Sequence, residues 1–319
     1  WTSSTLGDGA NNYWRLMSFM YGLKKCIHEQ QGFTLVELMV VVAIFFFIVA
    51  AVFNAYLSQH HASIIQSQVS DMQQNARIAM DFLSKEIRMA GFGKPAGAVN
   101  GFTDAVSPAI NNDATNGNNV LNGTDQISVV TGYRQISTLV SAASADATTI
   151  TLVANGNQFN TTTKRYVCID GVGKIDNYEV TGIAGNVLTI SPALHRAYQA
   201  DAPVLLVKAI TYSVNDAGFL TRNENTGGGA QTVAPNIEDL QFAYQLADGT
   251  WSNAPGVPGD IRAVRINVLA RTRFEDHSPG QTGTIGQRPD IEDHDVNNVT
   301  DGFRRRFLTS VVKLRNVGL

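Results

Sequence analysis

The longest apolar run of the chain lies near its N-terminus and contains a single charge. Between Phe33 and Leu57 the only charged residue is Glu37. The run is long enough to cross a bilayer as a helix, which needs about 20 apolar residues. It also exceeds the apolar core of about 7–15 residues in an ordinary secretory signal. A carboxylate in such a helix costs about 2.5–3.5 kcal/mol on insertion scales, so we expect a cation to compensate Glu37.

Beyond Leu57 the pattern becomes amphipathic. No Gly or Pro occurs between Phe33 and Ala90, so we predict one continuous helix over 33–90, about 87 Å long at 1.5 Å per residue. Apolar residues recur three and four positions apart along one face of its second half. They are Ile65, Val69, Met72, Ala76, Ala79, Leu83, Ile87 and Ala90. We expect this stripe to pack against the chain's own globular part.

Glycine and proline end the predicted helix at residues 91–97, where Gly91, Gly93, Pro95 and Gly97 follow one another. Residues 91–125 are rich in Gly and Asn and are predicted to form a loop. From residue 126 to 319 the pattern is typical of strands separated by turns. The predicted strands are Gln126–Thr131, Thr148–Val153, Arg165–Asp170, Asn177–Thr181, Val187–Ser191, Pro203–Val214, Ile237–Leu246, Ile261–Arg273 and Arg306–Arg315.

Turn signals and alternation support these strands. Gly185-Asn186, Asp216-Ala217-Gly218 and Asp248-Gly249 each separate two predicted strands. In Ile261–Arg273, apolar and more polar positions alternate, which predicts a strand with one buried face. The fold class that we predict is α+β, with a long N-terminal helix followed by a β-rich head.

Charge around the apolar run predicts the direction of insertion. Lys24 and Lys25 precede the run, and the next basic residue after them is Arg77. The positive-inside rule therefore places the N-terminus in the cytoplasm and the head outside it. Because residue 1 is Trp, we expect translation to start at Met17 or Met20, with residues 1–16 outside the translated protein.

The two cysteines are not expected to pair. Cys26 lies before the apolar run and Cys168 after it, on opposite sides of the predicted membrane span. We expect Cys168 to be a buried small residue of a strand. The chain has 24 Lys and Arg against 27 Asp and Glu, a balance that does not favour nucleic acid as a partner.

The N-terminal segment resembles that of type IV pilins and type II secretion pseudopilins. The residues that carry the resemblance are Gly32, Phe33 and Glu37, at the head of the apolar run. The resemblance implies that residues 1–32 are a leader, removed by a prepilin peptidase that cuts between Gly32 and Phe33. Phe33 is then the N-methylated first residue of the mature chain. Glu37 becomes its fifth residue and pairs with the N-terminal amine of a neighbouring subunit.

The last third of the chain is similar to the C-terminal half of PilW-type minor pilins. The resemblance is carried by ITYSVNDAGFLTRNE from Ile210, followed by NIEDLQFAYQLADGTW, IRAVRINVLARTR and FRRRFLTSVVKLRN. It implies a type IV pilin-like fold, the other minor pilins, the major pilin and the inner-membrane assembly platform as partners, and a role at the pilus tip. It also implies residence in the bacterial inner membrane before assembly and on the cell surface afterwards. Asn54 stands where major pilins usually carry a proline, which favours a minor subunit.

No motif of an enzyme is present, and we expect neither catalysis nor a cofactor. The chain contains no G-x-S-x-G, H-E-x-x-H, C-x-x-C or Walker sequence. The acidic loop from Glu275 to Asp301 holds the candidate ligands for a metal such as Ca²⁺. These candidates are Asp290, Glu292, Asp293 and Asp295. We expect the loop instead to fold over the neighbouring Arg-rich strands, which also argues against DNA contact by those strands.

Two other functions remain open on the sequence. One is a J-type minor pseudopilin of a type II secretion system, which has the same topology in a different machine. The other is a membrane-anchored adhesin or binding domain that keeps its leader and never assembles. Both would carry the same apolar helix, so the helix alone does not separate them from a minor pilin.

Overall fold

The computed structural model describes residues 32–92, 99, 101–171, 174–276, 286–296 and 299–317. The predicted leader up to residue 31, with Cys26 and its lysines, lies outside these residues. So do Gly93, Pro95 and Gly97 of the predicted helix end. The chain divides into two compact units, residues 1–62 and 63–319.

The described part of the first unit is the start of helix α1, which spans Leu35–Met89. This segment is apolar and exposed all round, as at Phe47 and Ile48. By length and composition, α1 has a segment that is able to cross a membrane. An exposed apolar surface of this extent marks a membrane or protein interface.

In the second unit, one face of α1 packs against the head. Six positions of the predicted stripe are buried: Met72, Ala76, Ala79, Leu83, Ile87 and Ala90. Val69 is partly buried at the edge of the same core. The predicted packing of the stripe on the head is therefore confirmed. The buried positions begin at Met72, C-terminal to the exposed apolar segment.

The helix ends against the head at a glycine that no other residue replaces easily. Gly91 has a φ of +79°, and its N–H donates to the carbonyl of Val130 at 3.0 Å. A Cβ at this position would lie 2.8 Å from Cγ2 of Val317. Both the left-handed backbone and the close approach therefore require glycine.

The head consists of strands. In the described residues they are β1 (Val106–Ile110), β2 (Gln126–Thr138), β3 (Thr149–Thr151), β4 (Tyr166–Gly171), β5 (Lys174–Ala184), β6 (Val187–Ser191), β7 (Pro203–Val214), β8 (Leu220–Asn223), β9 (Ala230–Ala234), β10 (Ile237–Leu246), β11 (Trp251–Ser252), β12 (Ile261–Arg271), β13 (Gly286–Gln287), β14 (Thr300–Asp301) and β15 (Arg305–Lys313). Two short 3-10 turns lie at Gly156–Gln158 and Pro258–Asp260.

The strands form a large sheet, a smaller sheet and a two-stranded ribbon. The nine-stranded sheet has the order β1-β2-β7-β4-β5-β6-β3, with β8 paired to β7 and β9 paired to β8. The four-stranded sheet has the order β11-β10-β12-β15, and β13 pairs with β14. All of these strand pairs are antiparallel.

In the described residues the head has two large hydrophobic cores and a smaller third cluster that contains Cys168. The first core lies between α1, the four-stranded sheet and one end of the large sheet, and it includes Leu83, Ile210 and Phe242. The second core is built by the other end of β2 and β7 together with β3, β4, β5 and β6. Strands β2 and β7 are long enough to contribute to both. Cys168 is fully buried in β4, as predicted.

One predicted loop contains a strand. Residues 91–125 were expected to be irregular, but β1 occupies Val106–Ile110 and pairs with β2. The strand includes Pro108, next to which its register shifts. Proline removes a donor from the ladder and is tolerated on an edge strand, which is the place of β1 in the sheet. The sequence pattern did not predict this strand because its proline and the glycines around it are typical of loops.

The expected exposed face of β12 is also partly covered. Val264, Ile266, Val268 and Ala270 are buried, as predicted, but Asn267 on the opposite face is buried too. Its amide donates to Glu292 at 2.8 Å. The loop that carries Glu292 therefore covers this part of the second face, which local alternation does not reveal.

Candidate functional site

The predicted site residues lie at the N-terminal end of α1, with Glu37 in its first turn. Thr34 precedes the helix, and its Oγ1 accepts the N–H of Glu37 at 3.2 Å. In return, Oε2 of Glu37 accepts both the N–H and the hydroxyl of Thr34, each at 3.2 Å. This reciprocal arrangement is a capping box, which satisfies donors that a helix start leaves without partners.

Gly32 and Phe33 lie directly before this cap and are open to solvent. Phe33 is 86% exposed, and a Cβ placed on Gly32 would meet no atom within 4 Å. Neither residue is needed to hold the rest of the described chain together. The Gly32–Phe33 peptide bond is thus accessible, and a carboxylate lies one turn away from it.

The cap leaves part of the Glu37 carboxylate available. Its hydrogen bonds with Thr34 use Oε2, whereas Oε1 has no hydrogen-bond partner in the described residues. The positive end of the helix dipole favours a negative charge at this place. The arrangement therefore allows a second donor or a cation to bind the same carboxylate while the cap remains in place.

The candidate metal ligands of the acidic loop contact protein groups instead. Glu292 binds Arg265 through both of its oxygens, at 2.7 and 2.8 Å. Asp290 accepts the N–H of Val296, and Asp293 accepts the amide of Asn111. In the described residues no group of three His, Cys, Asp or Glu side chains has an arrangement suited to a metal.

Several ion pairs show the acidic loop lying over the basic strands, as the sequence predicted. Besides Glu292 with Arg265, Asp276 pairs with Arg304 at 2.7 Å. Trp251 adds a stacked contact, since the Arg265 guanidinium lies 4.6 Å from its ring centre. These pairs occupy much of the positive charge that the DNA-binding alternative requires.

A buried ion network joins β10, β14 and β15. The Arg305 side chain is 6% exposed and donates to both oxygens of Glu238, at 2.6 and 2.9 Å, and to both oxygens of Asp301, at 2.8 and 2.5 Å. Burial opposes ionisation of Asp301, but hydrogen bonds from Arg305 outweigh it and hold the pKa of that carboxyl below its usual value. The pKa of Arg305 is raised by the same partners against the effect of its burial.

Removal of Arg305 from this network is expected to destabilise the head strongly. We expect Arg305→Leu to lower the free energy of unfolding by about 3–5 kcal/mol, because the buried Glu238 then keeps only a 3.9 Å contact with Arg271 and is poorly paired. Adding Glu238→Gln should recover part of this loss. The measurement is urea unfolding of the full chain in detergent micelles, followed by circular dichroism. Arg306→Leu is the matched control, since Arg306 is exposed; equal losses in the two single variants would contradict the role of the network.

A second polar centre lies under the acidic loop. Asp239 is fully buried and contacts Nδ1 of His294 at 2.8 Å and the guanidinium of Arg288 at 3.1 Å. Nearby, Asp125 accepts the backbone N–H groups of Asn112 and Phe242. Burial has a larger effect on the pKa of Asp125 than these two hydrogen bonds, which lower it, and the pKa is raised to about 7. The centre fixes residues 286–296 on the sheet.

Sequence reasoning did not find this polar centre. One signal was present, because Glu238 and Asp239 are adjacent charges inside an otherwise buried strand. Charged residues are rarely fully buried unless they are paired. Their partners Arg288, His294 and Arg305 lie far along the chain, and local patterns do not identify them.

Comparison with known proteins gives two family matches. The model described as the prokaryotic N-terminal methylation motif matches residues 27–53, which include Gly32, Phe33 and Glu37. The model described as type IV pilus-assembly protein W matches residues 177–316. No curated protein matches the chain.

Among solved structures, the chain is similar to a type IV-like pilin from Thermus thermophilus. The two are 11% identical with a TM-score of 0.37, and the match covers 77% of this chain and 98% of that one. The two family matches lie on the apolar helix and on the strand-rich head, in the order that the sequence predicted. Together they support the predicted similarity of this chain to PilW-like type IV minor pilins.

Proposed function

We propose that a prepilin peptidase cuts this chain between Gly32 and Phe33 and methylates the new N-terminus. The observation that carries the proposal is the exposed Gly32–Phe33 bond directly before a capped helix whose carboxylate, on Glu37, keeps one oxygen open. After the cut, α1 leaves the bilayer and enters a fibre. The protein itself catalyses nothing and acts as a structural subunit.

Glu37 gives this assembly step its register. Cleavage creates a cationic amine on Phe33, and a carboxylate in an apolar helix is stabilised when such a cation pairs with it. The amine of a neighbouring subunit binds Oε1, while Oε2 keeps its bonds to Thr34. One subunit is then held at a defined height along the next.

The head determines the position of the subunit. Together with other minor pilins, the protein primes pilus assembly on the inner-membrane platform, before the major pilin is added. A head with two cores is easier to accommodate at a tip than in repeated stacking along a shaft, so we place it at the pilus tip. The N-terminus faces the cytoplasm and the head faces the periplasm until the fibre extends from the cell.

The two alternative functions differ from a minor pilin either in whether the leader is removed or in the assembly that the protein serves. An anchored adhesin keeps residues 1–32 and stays in the membrane fraction. A pseudopilin of type II secretion is processed in the same way but serves a secretion system. The match to a type IV pilus-assembly protein over residues 177–316 favours the pilus.

Mass spectrometry of protein from sheared surface fibres tests the proposal. Cyanogen bromide cuts after methionine, and Met20 and Met39 flank the site. Processed protein should give the peptide Phe33–Met39 carrying one N-methyl group, whereas an uncut chain gives Tyr21–Met39. The unprocessed peptide, or absence of the protein from fibres despite good expression, would contradict the proposal and favour an anchored binding protein.

A further inference from the structure

Strand β15 is an unusually long edge strand. It lies at the end of the four-stranded sheet and pairs on one side with β12; in the described part of the chain no strand pairs with its other side. β15 has nine residues, whereas β11 at the opposite edge has two. Natural sheets usually shorten, cover or interrupt their edges, because an open edge pairs with other chains.

The unpaired backbone groups of β15 belong to its odd-numbered residues. Leu314 donates to the carbonyl of Arg262, and Thr272 donates to the carbonyl of Arg304. In this antiparallel register, even-numbered residues of β15 bond to β12 and odd-numbered ones point away from it. The N–H and C=O groups of Phe307, Thr309 and Val311 therefore face outward, with no hydrogen bond in the described residues.

The side chains on this edge are also suited to a partner strand. Phe307 is 42% exposed and Val311 is 54% exposed. Between Arg306 and Lys313 the strand contains no charge and no proline, and its register with β12 runs without a bulge. The centre of the edge therefore lacks the usual devices that prevent strand addition.

Charge at the two ends of β15 remains unmatched. Arg265, Arg304 and Arg305 each pair with a carboxylate of the head. By contrast, Arg306, Lys313 and Arg315 are exposed and have no carboxylate partner in the part of the chain that the structure describes. The acidic loop that neutralises the neighbouring strands does not neutralise this edge.

We propose that the outer edge of β15 binds an extended segment of a different protein chain by strand addition, and that this segment has acidic residues at its ends and β-branched residues between them. This inference rests on the proposed function, in which the partner is another subunit of the priming complex. A second copy of this chain does not suit the edge. Pairing β15 with β15 in either direction brings cations of the two copies side by side, which is unfavourable.

Amide hydrogen exchange on the full chain in detergent micelles tests the edge directly. The probe is a synthetic peptide of alternating valine and threonine with glutamates at both ends; the same peptide with lysines at its ends is the control. In the free protein, the N–H groups of Leu308, Ser310 and Val312 should exchange slowly and those of Phe307, Thr309 and Val311 rapidly. The acidic peptide should slow exchange of the N–H groups of Phe307, Thr309 and Val311 by at least about tenfold, because these groups exchange only while the peptide is not bound.

Two results of this experiment would overturn the inference. One is that the acidic and the basic peptide slow amide exchange equally, or that neither slows it. The other is slow exchange at Phe307, Thr309 and Val311 before any peptide is added. The exchange result does not depend on processing, so it stands even if the chain never enters a fibre.

A proline variant tests the same edge in cells. Val311→Pro removes one outward N–H and is compatible with an edge strand, whereas Val311→Thr keeps the N–H and the branched side chain. We expect the proline variant to be cut at Phe33 as before but to fall at least about tenfold in sheared fibres, and the threonine variant to assemble. Equal recovery of the two variants in fibres would contradict strand addition. Failure of unaltered protein to be cut or to enter fibres would instead contradict the proposed function.

Discussion

Replacement of Gly32 by valine is expected to leave the chain as an uncut precursor in the membrane. The structure separates this effect from folding, because a Cβ at Gly32 meets no atom within 4 Å. If the proposed processing is correct, a bulky residue there alters only the groups that the peptidase binds before the Gly32–Phe33 bond. The cyanogen bromide peptide should change from Phe33–Met39 to Tyr21–Met39, and the protein should disappear from sheared fibres.

The urea unfolding curve of the head is the control for this variant. It should match that of the unaltered chain when both are measured uncut, since a Cβ at Gly32 meets no atom within 4 Å. Normal processing of the valine variant would show that the cleavage site lies elsewhere. Loss of processing together with an altered unfolding curve would mean that the substitution disturbs the fold, which contradicts the isolation of Gly32 seen here.

Loss of the Glu37 charge should block entry into fibres after normal processing. Two substitutions separate the charge from the cap: Glu37→Ala removes both, whereas Glu37→Gln keeps a side chain that completes a capping box with Thr34. We expect both variants to be cut at Phe33 and both to be depleted from fibres. Breaking a buried charge pair costs about 3–5 kcal/mol, so recovery in fibres should fall by at least about tenfold, which corresponds to about 1.4 kcal/mol.

The glutamine variant decides between two roles of Glu37. If it assembles as well as the unaltered protein while the alanine variant does not, the side chain serves only as a helix cap. Thr34→Ala provides the complementary control, because it weakens the cap and leaves the carboxylate charged. We expect this variant to assemble, with a loss of helix stability of about 1 kcal/mol.

Much of the fold follows from patterns that are local in the sequence. The stripe from Met72 to Ala90 repeats with helical spacing and has no Gly or Pro within it, so its burial was predictable. The bounds of β7 and β10 were predicted to the residue. Both have clear turn signals beside them, at Asp216 to Gly218 and at Asp248-Gly249.

Short polar strands escaped the same reasoning. β8 and β9 have the sequences LTRN and AQTVA, and neither shows a run of alternating apolar residues. They form because β8 pairs with the end of β7 and β9 then pairs with β8. The partner strand rather than their own composition stabilises them, and a single sequence does not display that partner.

The candidate site divides in the same way. Gly32, Phe33 and Glu37 lie within one short segment, so the resemblance to prepilins that implies their roles is visible in the sequence. The centre around Asp239 combines residues from β10 and from the loop at 286–296, which are distant in the chain. Only the folded sheet brings them together, and the buried carboxylates of β10 were the sole local sign.

The two cores of the head have a consequence for how such proteins diverge. The first core includes α1 and must preserve the surface that carries the helix, whereas the second core is formed without α1. Substitutions at positions such as Leu188 or Tyr198 therefore lie in a different core from the one that packs on α1. We expect natural sequence variation to accumulate in the second core, because substitutions there leave the packing of α1 on the first core unchanged.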